Sequence, residues 1–258
     1  MIKSLFRAFE THQVRYLLIS GQACVLYGAS QFTEDIDFWI QSSNKNVRAF
    51  LRAMAQVKAK VYKLTLPMTQ VYVLKGHGFH FKVGRDWYVD VMGKPPRVGK
   101  FQSARKRARR IVTEWGDLIV AAPEDLVLLK RTNRPADYET ISNLVRQRLS
   151  EDGNASILRW ALSNTFDISD LIEYAIQGAG MLTRWPSRPA VRCLLPLRSG
   201  QIRIGEKKVR LAADHLVSEM SELQERGRRY WKPILADLKS LQRGNQLIPE
   251  GTPVASLI

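Results

Sequence analysis

The sequence predicts a mixed α+β fold in which helices dominate the second half of the chain. Short apolar runs with strand-like alternation, bounded by Gly, Pro or polar turns, recur between residues 15 and 120. Segments with the helical spacing of apolar residues lie between these runs. After residue 150 helical spacing is the main pattern, most clearly over 212–242. We therefore expect a mixed sheet flanked by helices, followed by a mainly helical C-terminal region.

The elements of the first half follow from this spacing and from the turn residues between them. In order, they are a helix over 3–13, a strand over 15–19, a helix over 21–28, a strand over 35–41, a helix over 44–57, a strand over 61–66, a hairpin of strands 69–74 and 79–83, a strand over 87–92, a strand pair at 111–113 and 118–120, and a helix over 124–130. The hairpin is placed around Gly76-His77-Gly78 because glycine favours a tight turn.

The second half has fewer strand signals and several Gly and Pro residues between 178 and 205, which we predict to be loop-rich. Its predicted elements are helices over 156–162, 168–176 and 212–242, a hairpin at 202–211 and an irregular tail from Gly244. The change in pattern places a domain boundary near residue 150, which separates a first domain of 1–150 from a helical domain of 151–258.

Composition indicates a globular protein: 258 residues with 45% hydrophobic content are enough for one large domain or two small ones. No apolar run approaches the roughly 18 residues that a membrane span needs, so we expect no membrane partner. The N-terminus lacks the pattern of a signal peptide. The two cysteines, Cys24 and Cys193, lie far apart and are predicted to be buried thiols in a reducing cytoplasm.

Positive charge is concentrated in one segment, residues 94–110. The whole chain has a formal net charge of +16, and this segment holds eight basic residues and no acidic one. They are Lys94, Arg97, Lys100, Arg105, Lys106, Arg107, Arg109 and Arg110. Such clustering predicts a polyanion partner, although a solvated charged helix face is the alternative. Because the segment follows the strand 87–92 directly, we expect it to emerge beside any site on that strand.

Two carboxylates, Asp35 and Asp37, alternate with apolar residues in a predicted strand, so both point to the same face. Neighbouring carboxylates repel each other, and a hard cation such as Mg²⁺ relieves the repulsion and keeps coordination positions open for phosphate. Asp90 lies in another apolar, strand-like run, where a lone carboxylate is disfavoured unless it has a task. It is a candidate third ligand, and a hydrogen-bonded carboxylate at the protein surface is the alternative.

A known family carries a similar arrangement. The stretch from Ser20 to Asp37 resembles the nucleotidyltransferase superfamily with the polymerase-β-like fold, and more closely its bacterial abortive-infection and toxin-type branch, whose signature is similar to GGxA…hG…RxTxDID. The matching residues are Ser20-Gly21-Gln22-Ala23, Tyr27-Gly28 and Gln31-Phe32-Thr33-Glu34-Asp35-Ile36-Asp37. Ser20 stands where the first glycine is typical, and Gln31 stands where an arginine is frequent.

A second block resembles the pattern P-x-D-L-x-x-x-K followed by R-x-x-D in the same branch. Its residues here are Pro123, Asp125, Leu126 and Lys130, then Arg134 and Asp137. The resemblance covers about residues 15–145 and implies a nucleotidyltransferase catalytic domain over 1–150. It implies that Lys130 contacts the triphosphate and that Asp137 orients this lysine or assists the chemistry.

The resemblance implies transfer of a nucleoside monophosphate from a nucleoside triphosphate, with two Mg²⁺ ions, or Mn²⁺ as an alternative, held by Asp35, Asp37 and Asp90. The implied nucleotide-binding residues are Ser20, Gly21, Gln22, Thr33 and Lys130. The turn at Ser20-Gly21 would let backbone N–H groups approach the phosphates. A zinc site at His77 and His80 is less favoured than a simple hairpin turn.

Three functions are compatible with the sequence. The first is nucleotide transfer to RNA, most plausibly tRNA, by a toxin of a toxin–antitoxin or phage-defence system, with a cognate antitoxin protein as partner. The second is transfer to a protein or a small molecule. The third is a non-catalytic module that binds nucleic acid or senses nucleotides. The basic segment favours RNA as the acceptor, and the three aspartates favour an enzyme.

Overall fold

The structure, a computed structural model, describes all residues except 1, 32, 34, 198, 199, 201 and 202. The chain divides into two compact units. Unit 1 comprises Met1–Leu26, Gln31–Leu129 and Tyr230–Ile258, and unit 2 comprises Tyr27–Ser30 and Lys130–Arg229. The chain leaves unit 1 after Leu129 and returns to it at Tyr230. The boundary predicted at residue 150 falls at the end of a helix inside unit 2.

Unit 1 contains the strands and the helices that cover them. Its strands are β1 (Tyr16–Ile19), β2 (Asp35–Ile40), β3 (Lys60–Val61), β4 (Gly78–Val83), β5 (Trp87–Met92), β6 (Arg109–Thr113) and β7 (Gly116–Val120). Its helices are α1 (Ile2–Thr11), α2 (Ser20–Leu26), α3 (Asn44–Gln56), α4 (Gln70–Lys75), α5 (Phe101–Arg107) and α6 (Pro123–Leu129), with a final 3₁₀ turn at Val254–Leu257.

The seven strands form one mixed sheet in the order β3-β4-β5-β2-β1-β7-β6. β1 is antiparallel to β2, whereas β2 is parallel to β5 and β1 is parallel to β7. The prediction of a mixed sheet flanked by helices, followed by a mainly helical region, is confirmed. One face is packed by apolar side chains. Phe9 of α1 contacts Phe38 of β2 and Phe50 of α3, at ring-centroid distances of 5.0 and 5.6 Å.

The chain end from Gly244 is largely irregular, as predicted, but it is hydrogen-bonded to the sheet edge and finishes in the 3₁₀ turn. The backbone N–H of Val61 in β3 donates to the carbonyl of Thr252, and the N–H of Gly251 donates back to Val61. Thr65 and Ile248 exchange a similar pair of hydrogen bonds, and Val254 is fully buried. These bonds satisfy backbone groups that an edge strand would otherwise expose.

Unit 2 is helical. It contains α7 (Ala136–Glu151), α8 (Ala155–Asn164), α9 (Ile168–Gly178), α10 (Pro189–Leu194) and the first part of α11 (Glu206–Arg243). Arg188 is buried in this unit, where it donates to the carbonyls of Leu162 and Thr165 and pairs with Glu219. Burial lowers the pKa of Arg188, while the negative charge of Glu219 opposes that shift.

Three local predictions are corrected. Residues 69–74, predicted as a strand, form helix α4, which Gly76 ends in the left-handed conformation at a φ of 88°. Of the hairpin predicted at 202–211, Ile202 lies outside the described residues and the part from Glu206 is helical. Both cysteines are free, but Cys193 is only partly buried. No helix among the described residues combines the length and apolar composition that a membrane crossing requires.

Candidate active site

Three carboxylates come together on neighbouring strands of unit 1. In the parallel pairing of β2 with β5, Asp37 lies directly beside Asp90, and adjacent strands are about 4.8 Å apart. Asp35 lies two residues before Asp37 and therefore points to the same face. Ile36, between the two aspartates of β2, and Val89, just before Asp90, point the other way. Both are fully buried in the core. The predicted grouping of the three aspartates on one face is thus present in the fold.

Exposure differs along this carboxylate row. Asp35 is exposed, whereas Asp37 and Asp90 are partly buried. Asp90 also has a partner that the sequence analysis missed, since Nδ1 of His80 lies 2.7 Å from its Oδ1. His80 lies on β4, opposite Asp90 in the antiparallel β4–β5 pairing. His80 lies in the predicted strand 79–83, and its carboxylate partner comes from the next strand.

The donor set suits a hard divalent cation, because it consists of carboxylate oxygens with at least one solvent-facing member. Among the described residues, however, no three His, Cys, Asp or Glu side chains converge closely enough to form a metal site as they stand. The contact of Asp90 with His80 engages one of its oxygens. A cation site on Asp35, Asp37 and Asp90 stays a prediction, and it would require side-chain rotation.

The turn beside these carboxylates is tightly packed. β1 ends at Ile19, which lies opposite Asp37, and the chain turns there into α2. Ser20 begins α2 with a φ of 59°, in the left-handed region. A methyl group on Gly21 would lie only 3.1 Å from Cγ2 of Thr33, so only glycine leaves this approach unobstructed.

Thr33 connects the turn to the carboxylate row. Its Oγ1 accepts a hydrogen bond of 3.3 Å from the backbone N–H of Asp35. The structure therefore brings together three of the predicted nucleotide-binding residues, Ser20, Gly21 and Thr33, at the start of β2. Gln22, the fourth in that part of the chain, is buried.

Lys130 and Asp137 belong to unit 2, where they form a buried ion pair with an Nζ–Oδ1 distance of 2.9 Å. Thr132 donates a short hydrogen bond to the same carboxylate, and Arg134 lies 3.1 Å from it. Burial alone would raise the pKa of Asp137, but Lys130, Thr132 and Arg134 outweigh this and hold the pKa below its usual value. The predicted pairing of Lys130 with Asp137 is present, and the role of Lys130 on a triphosphate stays a prediction.

Part of the basic segment has structural partners. Arg97 donates to the carbonyls of Leu128 and Leu129 at the end of α6. Arg107 forms two hydrogen bonds with the buried carboxylate of Asp125, and Arg110 pairs with Asp117. These three arginines stabilise unit 1 locally. Six cations of the segment are exposed: Lys94, Lys100, Arg105, Lys106, Arg107 and Arg110. Arg109 is partly buried.

The expected position of the basic segment is corrected by the strand register. β2 and β5 run in the same direction, with Asp35 beside Tyr88 at one end and Trp39 beside Met92 at the other. Lys94 and Lys100 follow Met92, so they lie at the end of the sheet away from Asp35. Only the last residues return, because Arg109 begins β6 opposite Val120, which in turn pairs with Leu18 of β1.

Comparison with known proteins gives few relatives. No protein-family model matches the sequence, and a search of curated proteins finds no match. One solved structure with some similarity is the lincosamide antibiotic adenylyltransferase LnuA bound to lincomycin, at 17% identity and a TM-score of 0.39. The match covers 55% of this chain and 94% of LnuA.

A second similar structure is that of an H. pylori protein described as a nucleotidyltransferase, at 13% identity and a TM-score of 0.37. That match covers 86% of this chain and 94% of the other. Neither score reaches the level at which a common fold follows. The chemistry of this chain is therefore inferred from its own residues.

Proposed function

We propose that this chain is a divalent-metal-dependent nucleotidyltransferase that moves a nucleoside monophosphate from a nucleoside triphosphate to RNA, with tRNA as the acceptor. The observation that carries the proposal is the register of β2 and β5, which puts Asp37 beside Asp90 on the face that Asp35 shares. A row of three carboxylates on adjacent strands is costly to maintain without a bound cation. Polyphosphate bound through that cation is the substrate class that suits such a row.

When bound, Mg²⁺ would supply Lewis-acid stabilisation of the phosphates and would lower the pKa of an acceptor hydroxyl. Asp35 and Asp37 would hold the metal, and Asp90 would complete the set. The protein's own part is positioning. Thr33 anchors the backbone of Asp35, and the bare Gly21 lets Thr33 pack closely against the neighbouring turn.

His80 holds one oxygen of Asp90 through the 2.7 Å contact, and Asp90 would rotate from it to reach the metal. Lys130 would neutralise the negative charge that develops as pyrophosphate leaves, which is the role that the family resemblance implies. The toxin role likewise comes from the resemblance, and a cognate antitoxin protein would be the natural regulator. Expression of the wild-type chain in bacteria would then arrest growth, and the same expression of the Asp35→Ala variant would not.

The direct test incubates the purified chain with Mg²⁺, total tRNA and each labelled nucleoside triphosphate in turn. Label on RNA is the expected result, and Asp35→Ala should abolish it while the circular dichroism spectrum stays unchanged. Glu10→Ala is the matched control, because Glu10 is an exposed carboxylate on α1, which packs through Phe9 against Phe38 on the sheet face opposite to the carboxylate row.

Other outcomes discriminate among acceptors. Label on the protein itself, or on a small molecule supplied in place of tRNA, would show that the chain transfers nucleotides to an acceptor other than RNA. Nucleotide binding without any transfer would identify a non-catalytic module. Equal transfer by the wild type and Asp35→Ala would refute the proposed carboxylate chemistry.

A further inference from the structure

Three adjoining concavities lie at the end of the sheet where β1 begins and β2 finishes. Their volumes are about 410, 330 and 340 Å³, and Gln41, the residue after β2, lines all three. Five exposed basic side chains surround them: Arg15, Lys45, Lys94, Lys100 and Arg105. We call this region the Gln41 surface. It lies entirely within unit 1.

The charge of the Gln41 surface is of one sign. No acidic residue lines any of the three concavities. Within the described part of the chain, none of the five cations forms a salt bridge, whereas Arg107 and Arg110 of the same basic segment do. Five like charges around one surface raise a strong positive potential that an anionic ligand would neutralise.

The Gln41 surface is also rigidly built. Asn46 is buried beneath it, accepts a hydrogen bond from the N–H of Arg15 at 2.7 Å, and donates to the carbonyls of Arg15 and Gln41. On the other side, the hydroxyl of Tyr230 donates to the carbonyl of Lys94 at 3.3 Å. The backbone that carries these cations is therefore fixed before any ligand binds, which reduces the entropy lost on binding.

We infer that the Gln41 surface binds the phosphodiester backbone of a single-stranded nucleic acid. Phosphates match the five cations, while the amides of Gln41 and Gln102 offer donors and acceptors to unpaired bases. Concavities of 330–410 Å³ suit individual nucleotides that are splayed apart better than a stiff duplex. A lipid surface would instead be met by protruding apolar and aromatic groups.

This site lies apart from the carboxylates. Four residues separate Gln41 from Asp37 along β2, a distance of about 13 Å, or roughly four stacked nucleotides of one strand. One strand held at the Gln41 surface is therefore long enough to present its end to the carboxylate row. This use of the site as an acceptor anchor rests on the proposed function, whereas nucleic-acid binding itself does not.

The test measures binding of a labelled single-stranded RNA of about twelve nucleotides by fluorescence anisotropy, without nucleoside triphosphate and over a range of salt concentrations. Single-strand binding loses affinity with a log–log slope of about −0.7 for each neutralised phosphate, so five contacts give about −3.5. The triple variant Lys94→Gln, Lys100→Gln, Arg105→Gln should bind about 100-fold more weakly at 0.1 M salt, with a slope near −1.4.

The matched control is Lys3→Gln, Arg52→Gln, Lys60→Gln, which removes the same charge from exposed positions that line none of the concavities. It should keep nearly the wild-type slope. An equal loss in both triple variants would overturn the inference, because binding would then depend on net charge alone. Thermal unfolding of both variants checks that each is folded.

Further arms identify the ligand. A DNA oligomer of the same sequence tests the backbone: equal binding supports recognition of phosphodiester alone, and tighter RNA binding supports RNA as the ligand. If the triple variant lost only polyglutamate or anionic-vesicle binding and kept its RNA affinity, the inference would be wrong. Asp35→Ala should bind RNA as the wild type does. A wild-type chain that bound RNA but transferred no nucleotide would count against the proposed function alone.

Discussion

The two ends of strand β2 carry opposite chemistry on the same face of the sheet. This face carries Asp35, Asp37 and Trp39, because side chains two residues apart in a strand point the same way. At the first end the carboxylates are open to solvent or partly so. At the second end Trp39 is buried beneath Phe101 of α5, at a ring-centroid distance of 5.6 Å. About 13 Å along β2 thus separates Asp35 at the acidic end from Trp39 at the basic end, which α5 covers.

The difference shows how each end is built. The acidic end comes from a short, continuous stretch, with Ser20 to Asp37 supplying the turn, the threonine anchor and two of the carboxylates. The basic end is assembled from segments that are far apart in the chain, including Arg15, Lys45 and residues 94–105. Hydrogen bonds from side chains to the backbone hold these segments together. Asn46 donates to the carbonyls of Arg15 and Gln41, and Trp39 and Ser42 donate to the carbonyl of Gly93.

The largest expected effect separates the two ends by function. Asp37→Asn removes the charge that lies beside Asp90, so nucleotidyl transfer should fall at least about 1,000-fold, equivalent to roughly 4 kcal/mol of transition-state stabilisation. RNA affinity, measured by anisotropy, should change less than about twofold, because a cation-bearing surface some 13 Å away binds the RNA. A parallel loss of transfer and RNA affinity would mean that the two ends form one site.

This contrast explains which part of the molecule could be predicted from the sequence. The strands around Asp35 and Asp90 were predictable because their alternating apolar residues face a packed core, and the Asp-x-Asp spacing fixed the shared face. The position of the basic segment was not predictable, because it depends on whether β2 and β5 run parallel. The direction of neighbouring strands is set by tertiary pairing and leaves no local signal.

Two further features of unit 1 illustrate the same limit. Residues 69–74 have the β-branched composition of a strand, yet Gln70–Lys75 form helix α4. The contact between His80 and Asp90 depends on the β4–β5 register, although the hairpin formed by these two strands was within reach of sequence reasoning once residues 69–74 were recognised as helical.

The second prediction concerns the geometry of the basic end. A methyl group at position 93 would lie 2.0 Å from Cγ1 of Val73 and 2.8 Å from Oγ of Ser42. Gly93→Ala should therefore lower the free energy of unfolding by about 3 kcal/mol or more, as measured by urea denaturation. The valine is β-branched and held in a helix, so it has few other rotamers to adopt.

Gly99→Ala is the control for that change, since nothing lies within 4 Å of a methyl group there. Its free energy of unfolding should stay within about 0.5 kcal/mol of the wild type. Adding Val73→Ala to Gly93→Ala should recover part of the loss. No recovery in the double variant would show that the clash is not the cause.

A third and smaller effect tests the hydrogen bonds of Asn46, which form a frame beneath the Gln41 surface. Asn46→Ala removes three hydrogen bonds and leaves the partly buried N–H of Arg15 and carbonyl of Gln41 without this partner, at a cost of about 2–3 kcal/mol of unfolding free energy. RNA binding should weaken as well, although no charge is lost. The exposed Asn44 is the matched control, and Asn44→Ala should change neither quantity appreciably. Unchanged RNA affinity in a folded Asn46→Ala variant would show that the cations do not need this frame.

The smallest effect lies at the acidic end and has the opposite sign. Ser20 has a φ of 59°, a conformation that costs an L-residue roughly 1–2 kcal/mol and costs glycine nothing. Ser20→Gly should raise the free energy of unfolding by about 0.5–1 kcal/mol, because the greater freedom of glycine in the unfolded chain cancels part of the gain. Ser20→Ala keeps the Cβ and should be no more stable than the wild type. If urea denaturation ranked alanine above glycine, the left-handed backbone at this turn would not be the source of strain.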